Sequence, residues 1–200
     1  MSAGPAHRRR RSQARQRIVA AARELLEQKP WSEISLEEIM RGAELTRTAF
    51  YRHFEDRQLL LVALLDELGG GFDAVAAPWT EVDAAADPAA ALGPALLELT
   101  RIYVTEGRLL QALSDAAAQD ADVHERYLAL GEQIVAGVVR TIEREVAAGR
   151  STVADPQEVA SALVWMNERY LLRHFGRTPD GDVERAAAAL HAIWSGAIYG

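Results

Sequence analysis

The sequence predicts an all-α protein of two parts, a small N-terminal helical unit joined to a larger helical one. Three observations point there. Apolar residues recur at helical spacing along nearly the whole chain, no segment alternates with period two for long enough to make a strand, and the charge is unevenly divided. Residues 1–60 hold 12 Lys+Arg against 8 Asp+Glu, whereas residues 61–200 hold 10 against 21, so a net charge of −7 conceals a basic N-terminal part. A domain that binds a polyanion concentrates its cations in this way.

About nine helices are expected. Residues 1–11, with Pro5 and the run Arg8 to Arg11, read as a disordered basic arm. From about Ser12, Ile18, Val19, Ala22, Leu25 and Leu26 share one helical face until Pro30 stops the run. Ser35-Leu-Glu-Glu38 is a capping box, with Ile34 and Ile39 spaced for a hydrophobic staple, so a short second helix starts at Ser35. Glu44-Leu45 interrupts it, Thr46 caps a third helix over residues 47–54, and Ala49, Phe50 and Phe54 face inward. Residues 12–55 therefore form a helix-turn-helix domain, whose second helix enters a DNA major groove.

Residues 56–71 read as a connecting helix, apolar from Leu59 to Leu65 and ended by Gly69-Gly70-Gly71. The rest, 72–200, begins with a poorly specified connection containing Pro78 and Pro88. Helices are then expected near 89–106, 108–118, 121–148, 157–175 and 182–198, with Gly107, Gly149, Pro156 and Pro179-Asp180-Gly181 as breaks.

Composition narrows the function. The chain is 49% hydrophobic and 26% charged, has no apolar run near the roughly 18 residues of a bilayer span, and shows no signal peptide, so a globular cytoplasmic protein without a membrane partner is expected. With no cysteine there is no disulfide or zinc-thiolate chemistry. No nucleophile has an identifiable base, and His7, His53, His124, His174 and His191 are scattered, so neither catalytic residues nor metal ligands nor a cofactor are expected.

Residues 13–65 resemble the DNA-binding domain of the TetR family of bacterial regulators. The resemblance rests on Ile34-Ser-Leu-Glu-Glu-Ile39, on Gly42-Ala-Glu-Leu-Thr46 at the turn, and on Phe50-Tyr-Arg-His-Phe54 with a cation at Arg57. It implies that Thr46, Arg47 and Thr48 meet base edges and nearby phosphates, that Tyr51, His53 and Arg57 meet the phosphate backbone, and that Ser35 belongs to the same DNA-binding set. A solvated helix face with one packing aromatic is the other reading of Tyr51 and His53. The family usually has glycine where this chain has Glu44, a residue poorly suited to a left-handed turn. Arg41, Arg47 and Arg57 are near enough in sequence to offset its charge. The arm from Arg8 to Arg17 has two readings, a minor-groove or phosphate contact and a solubilising tail.

Val164-Trp-Met-Asn-Glu-Arg169, His191-Ala-Ile-Trp194 and the ending Ala197-Ile-Tyr-Gly200 resemble the group of the mycobacterial ethionamide-resistance repressor. That resemblance implies a long apolar channel whose small apolar ligand holds the two DNA-reading heads too far apart for consecutive grooves. Asn167 is then the polar anchor. Leu92, Leu96, Thr100 and Tyr103, with Tyr127, Ile134, Val138 and Trp194, lie on or near the wall, and Ile134 and Gly137 reshape it where the group often has aromatics. For Tyr103, Tyr127 and Trp194 a place in the ordinary core remains open, as does a purely structural hydrogen bond for Asn167.

The last two helices suit a homodimer interface, through Ala160, Leu163, Val164 and Leu171 on one and Ala186, Ala189, Leu190 and Ile193 on the other. Glu168 and Arg169 read as solvated, with an ion pair within or across that interface as the other reading. The expected function is a repressor that binds a palindromic DNA operator as a homodimer and is released by its ligand. The alternative is a helical dimeric adaptor or ligand-binding protein without sequence-specific DNA binding, which Glu44 favours.

Overall fold

The computed structural model describes residues 5–80, 87–178 and 180–200. Among them are eight α-helices and one 3-10 turn: α1 (Pro5–Gln28), the turn Trp31–Glu33, α2 (Leu36–Gly42), α3 (Arg47–Phe50), α4 (Arg57–Thr80), α5 (Pro88–Ala117), α6 (Ala121–Ala147), α7 (Pro156–Phe175) and α8 (Val183–Tyr199). No strand occurs among the described residues.

The N-terminal head closes over Ile18, Ala22, Ile34, Ile39, Phe50 and Phe54, all buried, with Leu60 and Leu61 of α4 beneath them. Local chemistry sets its corners. Ser35 accepts from the Glu38 N–H while the Glu38 carboxylate accepts from the Ser35 N–H at 2.9 Å, the reciprocal box expected, and Thr46 accepts from the Ala49 N–H to start α3. The third helix is shorter than expected. After Phe50 the chain continues in tight turns, with the Phe54 N–H still donating to the Phe50 carbonyl at 3.0 Å.

Several boundaries differ from expectation. α1 begins at Pro5 rather than Ser12, so from residue 5 the arm continues the helix: proline suits a first helical position, and arginine and alanine extend a helix already anchored by Ile18 and Val19. Residues 1–4 and the side chains of Arg8 to Arg11 lie outside the described residues. α4 does not end at Gly69-Gly70-Gly71 but runs to Thr80, because Phe72 and Trp79 are buried and tertiary packing outweighs the glycines' weak preference. α5 does not break at Gly107. That glycine is where α5 meets the end of α7, and a Cβ there would lie 2.4 Å from the Phe175 carbonyl oxygen. The expected helices 89–106 and 108–118 are thus one, and part of the expected connection 72–88 is helix.

α5 is the centre of the larger part, packing against α4, α6, α7 and α8. The head is fastened to it by charge. Arg23 of α1 donates from Nη1 to both oxygens of Glu106, at 2.7 and 2.8 Å, and Nη2 lies 3.5 Å from Glu67 of α4. Arg108 donates to the carbonyls of Leu26 and Glu27 near the C-terminal end of α1, where carbonyls lack helical partners.

Of the residues expected at a dimer interface, Ala160, Leu163, Val164, Leu171, Ala186 and Leu190 are buried within the chain itself. Their helical face points inward at α5 and α6. The outward faces carry Ala162, Met166 and Tyr170 on α7 and Ala189, Ile193 and Ala197 on α8, with Ile193 48% exposed.

Candidate DNA interface and ligand cavity

Thr46, Arg47, Thr48 and Tyr51 stand together on the exposed side of α3, because Ala49 and Phe50 take the inward positions. Arg47 is already engaged. Its Nη1 contacts Glu37 Oε1 at 2.6 Å, its Nη2 donates to the Tyr51 hydroxyl at 3.4 Å, and its guanidinium lies 6.0 Å from the Tyr51 ring centre. Both members of the Arg47–Glu37 pair are 63% exposed, so water and salt screen it and a guanine or phosphate can displace it at small cost. Ser35 and Thr46 offer less than their exposure suggests, since each hydroxyl oxygen caps a helix. His53 is half-buried.

Arg57 does not stand with this group. Its Nη2 donates to the Trp31 carbonyl at 2.9 Å, its guanidinium stacks 4.6 Å from the Trp31 ring centre, and its Nε is buried without a hydrogen-bond partner. Arg57 here holds the 3-10 turn against the start of α4.

Glu44 has φ +51°, the left-handed conformation anticipated from its position. Its charge is balanced by Arg17 of α1, with Nη2 2.8 Å from the carboxylate, and not by Arg41, Arg47 or Arg57. Arg15 stacks 5.4 Å from the Phe54 ring centre, so two arginines assigned to the arm brace the head. Lys29, the neighbour of α2, donates to Glu38 Oε1 at 2.7 Å; this bond and those from Ser35 lower the Glu38 pKa to about 2.

The second site is a cavity of about 110 Å³ lined by side chains of α4, α5, α6, α7 and α8. Of the residues expected on its wall, Leu92, Leu96, Tyr103, Tyr127, Ile134, Val138, Asn167 and Trp194 line it. Thr100 does not: it is fully buried and its hydroxyl donates back to the Leu96 carbonyl at 2.8 Å. Gly137 is off the wall too, and the glycine that shapes the cavity is Gly131, where a Cβ would lie 2.4 Å from the Trp165 ring. Phe72, Trp79, Trp165 and Glu168 are wall residues not anticipated; the apolar period of α4 beyond its glycines was the only signal for the first two.

Asn167 has a fixed orientation. The Trp194 indole N–H donates to its Oδ1 at 2.9 Å, and since an indole nitrogen can only donate, the amide oxygen must face Trp194 and the amide NH2 is left for the cavity. Trp194 packs edge-on against Trp79, centroids 5.7 Å apart, and Trp79 donates to the Tyr199 hydroxyl at 3.3 Å. Glu168 is not solvated as expected. It is buried, and its Oε1 accepts from the Tyr127 hydroxyl at 2.6 Å. Burial, with the Glu168 charge adding to it, raises the pKa of Tyr103 and Tyr127, so both phenols stay protonated.

Among the described residues no group of three or more His, Asp or Glu is placed to hold a metal ion, and no helix is long and apolar enough to cross a membrane. Comparison with known proteins covers both parts. Residues 18–64 match the family of bacterial regulatory proteins, tetR family, and residues 94–200 match the C-terminal domain of the transcriptional regulator EthR. The chain is 28% identical over 185 residues to the HTH-type transcriptional regulator EthR of Mycobacterium tuberculosis, an alignment spanning 92% of this chain and 86% of that protein. It is equally similar to the regulator of that name from Mycolicibacterium smegmatis, at 28% over 190 residues, 92% of this chain and 85% of that one. Among solved structures, Salmonella enterica GusR superposes with a TM-score of 0.72 at 18% identity, covering 92% of this chain and 95% of that one. A TetR-family regulator from Pectobacterium atrosepticum superposes with a TM-score of 0.69 at 22% identity, covering 96% and 98%. These two show a shared fold.

Proposed function

The chain belongs to the TetR family of bacterial regulatory proteins, in the group with an EthR-type C-terminal domain, and from that premise we propose a repressor that binds a palindromic operator as a homodimer and is released when a small apolar ligand fills its cavity. As a member of that family it is a DNA-binding transcriptional regulator and not an enzyme.

The observation that carries the proposal is that one continuous helix serves both sites. The first turns of α4 place Leu60, Leu61 and Leu64 in the core beneath the head, and its last turns place Phe72 and Trp79 on the cavity wall. A ligand wedged against Phe72 and Trp79 shifts the far end of α4, and the near end carries the head with it. The Arg23–Glu106 and Arg108 contacts offer a second linkage, from α1 to the cavity helix α5. In a twofold dimer such a shift changes the spacing of the α3 helices from the roughly 34–36 Å of successive major grooves. The outward faces of α7 and α8, with Met166, Tyr170, Ala189 and Ile193, supply the dimer contact.

Within the head, Arg47 and Thr48 read base edges, Tyr51 and His53 hold phosphates, and Ser35 and Thr46 act mainly by setting the two helices. The Glu44 turn, compensated by Arg17, leaves this face available, which weakens the adaptor reading.

The test is fluorescence anisotropy on the palindromic DNA nearest the protein's own gene, against scrambled duplex at two salt concentrations, with and without apolar amides and esters. Nanomolar, palindrome-dependent binding by a dimer that one ligand class abolishes is the expected result. Weak binding, steeply salt-dependent and equal on both duplexes, would overturn it.

A further inference from the structure

An apolar cavity in a soluble protein has no need of a carboxylate, and this one has Glu168. The residue is 9% exposed and lies on the cavity wall, next in sequence to Asn167. One of its oxygens accepts from Tyr127, a neutral donor, at 2.6 Å. An ionised carboxylate has about four acceptor positions, so one phenol leaves most of them unfilled. The nearest cation is Arg169, whose Nε lies 3.8 Å from Oε2, beyond hydrogen-bond distance, and whose side chain is 72% exposed. Among the described residues no lysine, arginine or histidine lines the cavity. The wall therefore carries one negative charge with little compensation, and buried charge of that kind is costly until it is paired.

The rest of the wall suits the missing partner. Phe72, Trp79, Tyr103, Trp165 and Trp194 present aromatic rings to the same space, and ring faces attract a desolvated cation. A ligand carboxylate would be repelled by Glu168. A neutral carbonyl would find the Asn167 amide NH2 and leave Glu168 unpaired.

Building on the ligand-cavity reading above, we propose that this cavity selects apolar ligands bearing a protonated amine, with the Glu168 carboxylate as counter-ion and the surrounding aromatic rings as its walls. Asn167 and Glu168, consecutive on α7, then read complementary features, the first donating to a carbonyl and the second accepting from an ammonium.

Three probes of one chain length test this, each kept below its micelle-forming concentration: N,N-dimethyldecylamine, N,N-dimethyldecanamide and decanoate. Binding to the full-length protein is followed by tryptophan fluorescence, since Trp79, Trp165 and Trp194 all face the cavity. The amine should bind at least about tenfold more tightly than the amide, the scale of a desolvated cation between aromatic rings and a carboxylate, and decanoate most weakly. Glu168→Gln should remove the preference for the amine, bringing the amine and amide affinities to within about twofold of each other. The wild-type ranking alone decides the matter if that variant does not fold. Equal binding of amine and amide, or tightest binding of decanoate, would overturn the cationic preference while leaving the ligand cavity in place. Binding of none of the three would overturn both.

Discussion

The Trp194–Asn167 bond gives a prediction whose size follows from the geometry. Both residues are 4% exposed, and the indole N–H donates to Oδ1 at 2.9 Å in a mostly apolar wall. Asn167→Ala leaves that donor buried and unpaired, at a cost of about 1–3 kcal/mol. For a chain of this length each kcal/mol moves the melting temperature by about 2–4 °C, so a fall of roughly 2–12 °C is expected. Trp194→Phe removes the donor but also the packing against Trp79, so its own effect does not isolate the bond. The double-mutant cycle does, because the packing loss occurs in both backgrounds and cancels. Measured by calorimetry on the four proteins at one concentration, the cycle should show a coupling of about 1 kcal/mol or more. Additivity within about 0.3 kcal/mol would show that the bond contributes nothing to the fold, and would refute the claim that Trp194 fixes the Asn167 amide. The cycle also qualifies any ligand assay on Asn167→Ala, since that variant changes the wall as well as the anchor.

Arg47→Ala should relax sequence preference at one operator position by about 1–3 kcal/mol in binding to a set of single-base variants, whereas Arg57→Ala should leave both preference and the salt slope unchanged and lower the melting temperature, because Arg57 is spent on Trp31. A salt slope reduced by about one in Arg57→Ala would place that residue on a phosphate after all. Glu37→Gln frees Arg47 and removes an acid from the DNA face, so operator affinity should rise about two- to fivefold at low salt and less at high salt; unchanged affinity would mean the pair is not held in solution. The Glu38 carboxyl, held at about 2 by Lys29 and Ser35 in the folded chain, has a lowered pKa, so its contribution is complete above the ordinary carboxylate pKa and is lost as pH falls. The stability difference between wild type and Glu38→Gln should therefore be constant above about pH 5 and shrink between about pH 4.5 and 2; a difference that persists below pH 2 would contradict the capping account.

The head was legible in the sequence because its determinants are local. Ser35 and Glu38 are three residues apart, Thr46 precedes the helix it caps, and the spacing of Ile18, Ile39, Phe50 and Phe54 declares their faces without reference to distant chain. The cavity was legible only through family resemblance, which brought eight wall residues but also Thr100, a residue that satisfies its own helix. The misread boundaries share one cause. Gly69-Gly70-Gly71 and Gly107 look like breaks by local preference, and α4 and α5 run through them because burial of Phe72, Trp79 and the Phe175 contact outweighs about 1 kcal/mol per glycine.

By itself the amino-acid order determined the helical class, the capped helix-turn-helix and the division of charge, since each depends on residues within a few positions of one another. Tertiary structure alone decided which cation answers which acid. Arg17 balances Glu44 across 27 positions, Arg23 meets Glu106 across 83, and Glu168 comes to face Tyr127 inside a cavity instead of water. Coulombic partners are set by distance in space, and in a helical chain the residues that share a space come from turns far apart in sequence.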